Sequence, residues 1–178
     1  MYFDDYQCPF YRDYCGYRNS DMYMHNRRAA AYITGGPLAP NIRGTVLFTE
    51  VPGGIEVSAE INGLPQYKPA VGENPQIGPH GFHIHQGTSC IGNTDKPFMS
   101  AGEHWNPTNE PHVNHSGDFP VLFSNDGYSR MTFFTNKFSI PQIIGKTIII
   151  HESPDDYRTQ PSGASGKRLA CGVIQEML

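Results

Sequence analysis

Ile55-Glu56-Val57-Ser58-Ala59-Glu60-Ile61 alternates between apolar and polar side chains without a break. In an extended chain successive side chains point to opposite faces, so Ile55, Val57, Ala59 and Ile61 share one apolar face and Glu56, Ser58 and Glu60 share the other. Such a stretch is a half-buried β-strand. Pro52-Gly53-Gly54 makes a tight break before it, and Arg43 to Thr49 reads as a second strand ahead of that break. On either side, strand-length segments recur between turn residues: Ala29 to Thr34, Gly81 to Gln86, Phe119 to Phe123, Tyr128 to Thr135, Lys146 to His151 and Arg168 to Gln175. Asp126-Gly127 is a strong hairpin signal, and the run Ile148-Ile149-Ile150 suits a strand covered on both faces. These eight segments predict an all-β domain, a sandwich or barrel, over residues 29–178. Two irregular stretches, Gln86 to about Gly117 and Glu152 to Lys167, are expected to be long functional loops.

The 178 residues suffice for one domain with a real core. A formal charge of -4 argues against a nucleic-acid partner, which needs a basic face, so an anionic substrate must be attracted locally. No apolar run approaches the roughly 18 residues of a membrane helix, and no membrane association is expected. Met1 to Tyr6 lacks the basic-then-apolar layout of a secretory signal, so the compartment is left open with the cytoplasm as the default. Residues 1–28 carry Tyr2, Tyr6, Tyr11, Tyr14, Tyr17, Tyr23, Cys8 and Cys15 without any periodic pattern, and read as a flexible tail.

Six of the eight histidines stand out by position. His83 and His85, at i and i+2 of an expected strand, leave the same face and can converge on one ion. Alone, such a pair is more often exposed or structural than ligating. His104 follows, then His112, His115 and Asp118 at tight spacing, a donor set that tetrahedral zinc accepts and that gives an irregular loop a reason to order. His151 ends the isoleucine run. Read separately, the loop could be a polar surface segment and His151 an ordinary structural residue.

Taken together, Gly81-Phe82-His83-Ile84-His85, Ala101-Gly102-Glu103-His104-Trp105-Asn106-Pro107, Gly117-Asp118, His151-Glu152 and Gly166-Lys167-Arg168-Leu169-Ala170-Cys171-Gly172-Val173-Ile174 resemble the copper/zinc superoxide dismutase family. The match runs from about Ala29 to Gln175. The resemblance implies an eight-stranded antiparallel Greek-key barrel. It also implies copper held by His83, His85, His104 and His151, and zinc held by His104, His112, His115 and Asp118, with His104 shared. Asp155 sits where the family has a carboxylate that hydrogen-bonds one ligand of each metal, and His80 matches a structural histidine. Implied activity is dismutation of superoxide to dioxygen and hydrogen peroxide, with one-electron chemistry at copper and His104 delivering a proton. Arg168 matches the family arginine beside the copper, where a permanent positive charge attracts and orients the small anion. His104 and Arg168 are thus the implied catalytic residues.

Cys90 and Cys171 resemble the family's intrasubunit disulfide, which fits an oxidising compartment rather than the cytoplasmic default. The short spacing from His85 to Cys90 is similar to bacterial members. Those vary in assembly, so a homodimer is one option left open. Pro65 to Pro79 reads as an insertion. Two rival readings are a catalytically silent relative that only binds metal, and a structural module of an assembly; the first would be expected to lack a copper ligand or the arginine, and this chain has both.

Overall fold

The computed structural model describes residues 27–177, so the expected tail, with its tyrosines and Cys8 and Cys15, lies outside the described residues except for Arg27 and Arg28. Seven strands follow in chain order: β1 (Arg28–Gly35), β2 (Arg43–Val51), β3 (Gly54–Asn62), β4 (Phe82–His85), β5 (Ser129–Thr135), β6 (Thr147–His151) and β7 (Arg168–Met177). They form one sheet in the order β4-β6-β7-β1-β2-β3-β5 with every pair antiparallel. Chain neighbours β3 and β4 stand far apart in that order, as do β4 and β5, which is the crossed connectivity of a Greek key.

The alternation in β3 decides how this sheet curls. Ile55, Val57, Ala59 and Ile61 are buried, while Glu56 and Glu60 are exposed. Inward residues of every other strand join the same cluster, including Ala31 and Ile33, Val46 and Phe48, Phe82 and Ile84, Ile148 and Ile150, and Ile174, with Met131 and Phe133 of β5 packed against it. A flat sheet could not bring both ends onto one core, so the sheet is a curled half-barrel. Phe119 spans the gap between edge strands β4 and β5, with ring centroids 5.3 Å from Phe82 and 5.0 Å from Phe133. Each such ring removed from water contributes about 1.5–3 kcal/mol.

One expected strand is missing. Phe119 to Phe123 forms no ladder, and its one β-bridge among the described residues is that of Leu122 with His80. Pro120 interrupts it, because proline has no N–H to donate and fits only irregular sheet edges. The adjoining turn is present, with Asp126 at φ 50° and Gly127 at φ 83° closed by the bridge of Asn125 with Tyr128. Positive φ at both central residues is what the Asp-Gly pair provides cheaply. The expected insertion between β3 and β4 is a small hairpin held by bridges of Lys68 with Ile77 and Val71 with Asn74.

Ile148 and Ile150 face the barrel core, whereas Ile149 faces outward into a second cluster with Phe98, Ala101, Cys171 and Cys90. Cys90 and Cys171 form a disulfide, 81 residues apart in sequence, which pins the loop after β4 onto the outer face of β7. Replacing both cysteines with serine should lower the unfolding free energy of the metal-free protein by about 2–4 kcal/mol, read from urea midpoints.

Candidate metal centre

The free edge of β4 assembles the site. One edge of this strand pairs with β6. Along the other, the loop after β4 returns twice, through bridges of His85 with His104 and His83 with Asp118. Backbone bonds from Ile84 N–H to Gly117 O (2.9 Å) and from Trp105 N–H to Ile84 O (2.8 Å) lock the register. Gly117 must be glycine, since a Cβ there would lie 2.4 Å from the Ile84 carbonyl oxygen. Residues opposed across antiparallel strands project from the same face, so His83, His85, His104 and Asp118 all leave the barrel's outer side. His151, at the end of β6, lies beyond a bulge after Ile150.

Two groups of four donors result: His83, His85, His104 and His151, and His104, His112, His115 and Asp118. Within each, the donor atoms lie within 4.8 Å of one another, and every residue is buried. His104 belongs to both. Its Nδ1 lies 2.9 Å from Asp118 Oδ1, and its Nε2 is buried with no hydrogen-bond partner among the described residues.

The protonation pattern of these groups fits metal ions. His85 Nδ1–H donates to the Gly102 carbonyl at 2.9 Å and His151 Nδ1–H to the Gly166 carbonyl at 3.3 Å. A carbonyl only accepts, so both Nε2 atoms are lone pairs, and they face each other at 3.3 Å. Two facing lone pairs repel unless a cation lies between them. Likewise His83 and His112 each turn Nε2–H to Asp155, at 2.8 and 2.9 Å, leaving each Nδ1 as a buried lone pair. Nδ1 of His112 then lies 2.9 Å from Asp118 Oδ2, acceptor against acceptor. Neutral imidazole is the ligating form, and the protein enforces it. Burial, reinforced by neighbouring imidazoles, holds His83 and His85 well below the ordinary histidine range and His151 down to about 3. His115 is lowered too, by burial against the opposing pull of Asp118. Burial alone would raise Asp118, but its bond to His104 and the nearby imidazoles outweigh that and keep its carboxyl below the usual range.

The sequence profile of the family described as copper/zinc superoxide dismutase (SODC) matches residues 42–174. The chain belongs to the copper/zinc superoxide dismutase family. Among its relatives is a Cu-Zn superoxide dismutase of Deinococcus radiodurans, 36% identical over 152 residues that cover 75% of this chain and 78% of the relative. That of Legionella pneumophila is 32% identical over 164 residues, covering 88% and 91%. That of Caulobacter vibrioides is 33% identical over 149 residues, covering 74% and 78%.

Within this member of the family, Asp155, Arg168 and His80 fall around the two groups. Asp155 is buried and takes one histidine from each group on its two oxygens, and its Oδ1 also accepts the Tyr157 N–H at 2.7 Å. Arg168 stands opposite His151 in the β6–β7 ladder, half-buried, and donates to the carbonyls of Phe98 (2.8 Å) and Gly102 (2.7 Å). The Gly102 carbonyl therefore receives both Arg168 and His85. His80 is buried and donates from Nδ1 to the His151 carbonyl at 2.8 Å, bracing that residue from behind. Lys167 is exposed, and His25 lies outside the described residues.

Sequence reasoning did not find Tyr157, Gln160 or Gly163. Tyr157 Oη accepts the Val121 N–H at 3.0 Å, and Gln160 pairs with the main chain of His112. A Cβ on Gly163 would come within 2.0 Å of Asp155 Oδ1 and 2.6 Å of His112 Nε2. No periodic pattern marks an irregular loop, so only the glycines of the Glu152 to Lys167 stretch offered a signal there.

The histidine shifts fix a sign for pH dependence. Unfolded histidine takes up a proton below about 6.5, whereas the folded chain keeps His83, His85 and His151 neutral down to much lower pH. The unfolded state then binds more protons, and stability falls with falling pH. The metal-free protein should lose stability from about pH 6.5 towards pH 3, with urea midpoints already declining above the carboxylate range.

Proposed function

We propose that this member of the family dismutates superoxide, with copper at His83, His85, His104 and His151 and zinc at His104, His112, His115 and Asp118. The observation that carries the reading is His104: one buried imidazole belongs to two four-donor groups and has one ring nitrogen engaged by the carboxylate of the second. Two adjacent cations are the arrangement that makes use of both its nitrogens.

Bound at the first group, copper supplies the one-electron couple by which one superoxide is oxidised to dioxygen and a second is reduced to hydrogen peroxide. The chain's own residues do the rest. Arg168 places a permanent positive charge beside His151 in a chain of net charge -4, and so draws a small anion to this point of the protein. Its two carbonyl contacts spend part of the guanidinium fork and fix its plane, leaving other N–H groups to meet the substrate. His104 can hold a proton on Nε2 while Nδ1 stays on the Asp118 side, which places one of the two protons that peroxide requires at the reacting centre. Asp155 keeps His83 and His112 in the tautomers that aim Nδ1 inward.

Reconstitution with copper and zinc, metal analysis and a superoxide-decay assay test this together. Full loading with both metals but no faster decay would leave a silent metal-binding protein and sink the enzyme reading. His151→Ala should lose copper and activity while retaining zinc. Arg168→Ala should retain copper and lose roughly tenfold or more in activity at low ionic strength, with a flatter salt dependence. Arg168→Lys, which keeps the charge but not the two-carbonyl fork, should keep the salt dependence; activity and salt profile unchanged in Arg168→Ala would remove this residue from the mechanism.

A further inference from the structure

The zinc-group histidine His112 lies in a stretch with no helix or strand to hold it, yet its Nδ1 must point inward. Its side chain is oriented by Asp155, but orientation of a ring also needs a fixed backbone. Gln160, 48 residues further along and on the other loop, supplies it. His112 N–H donates to Gln160 Oε1 at 3.0 Å, and Gln160 Nε2–H donates to the His112 carbonyl at 2.6 Å. One side-chain amide thereby satisfies both main-chain groups of a single residue, as a neighbouring strand would.

From this geometry we infer that Gln160 is a positioning residue for the zinc group, a main-chain clamp that sets where His112 presents Nδ1. The chemistry is specific to glutamine. A carboxylate at the same place accepts the His112 N–H but sets oxygen against the His112 carbonyl oxygen, while asparagine is one methylene short. Asp155 and Gln160 grip the same residue from the same loop, by ring and by backbone, and Gly163 lets that loop approach because its Cβ would strike both Asp155 and His112. A second tie between the loops, Val121 N–H to Tyr157 Oη, leaves His112 untouched and serves as the control.

The inference rests on the zinc assignment above, and the experiment separates the two. Protein loaded with copper and zinc is titrated with a coloured zinc chelator, and a parallel sample carries cobalt(II) in place of zinc for its visible spectrum. Variants are Gln160→Ala, Gln160→Glu, Tyr157→Phe and His115→Ala. Gln160→Ala and Gln160→Glu should weaken zinc by about tenfold and shift the cobalt bands, whereas Tyr157→Phe stays within about twofold of wild type. Gln160→Glu keeps the size of the side chain and changes one group of an otherwise exposed residue, so the metal-free variant should still unfold in one cooperative thermal transition like wild type. Zinc affinity unchanged in Gln160→Glu overturns the clamp, and so does an equal loss in Tyr157→Phe, which would assign the effect to loop docking in general. A wild type that holds no zinc, or a His115→Ala variant that keeps it, overturns the zinc assignment and the clamp together.

Discussion

A buried lone pair without a donor is costly, and this fold packs several of them into one buried pocket. His85 and His151 face each other Nε2 to Nε2, and His112 Nδ1 faces a carboxylate oxygen. Each second ring nitrogen is committed outward to a carbonyl or to Asp155, so no exchange of tautomers relieves the conflict. Protons could relieve it only by charging imidazoles away from water, which burial opposes. Cations resolve it. The rest of the structure can be read as the means of holding these lone pairs in place.

The barrel provides the rigid half of that task. Strand β4 lies between β6 on one side and the returning loop on the other, so two turns of irregular chain inherit the register of a sheet. The disulfide and Arg168 fasten the same loop from a different direction, one covalently to β7 and the other through the carbonyls of Phe98 and Gly102. Arg168 therefore shapes the pocket as well as charging it. Its contact with Gly102, shared with His85, links the group proposed to attract the anion to the orientation of a proposed copper ligand.

Legibility followed period. The alternation of β3 and the isoleucine run of β6 declare themselves because side-chain direction repeats every two residues, and their burial follows that repeat. The segment Phe119 to Phe123 has the apolar content of a strand, and Phe119 and Leu122 are indeed buried, but Pro120 denies it a ladder. It serves as a plug between the edges of the sheet. The donor residues suggested by sequence are those that converge, because the spacing of His83 and His85 reports a strand face and the remaining four histidines and aspartate sit in short recognisable motifs.

What the sequence determined by itself was the inventory: strands with one apolar face, two long loops, and a set of imidazoles and one carboxylate of the kind that copper and zinc accept. Residue type and local period are properties of the chain, so they survive without coordinates. Tertiary structure bore out the Cys90–Cys171 bridge that the family resemblance implied, and it alone decided which carbonyl takes which ring N–H and that Gln160 and Tyr157 hold one loop against the other. Those hydrogen bonds join residues tens of positions apart, one or two at a time. Nothing in their own neighbourhood of the chain distinguishes them from ordinary loop residues until the barrel brings the loops together.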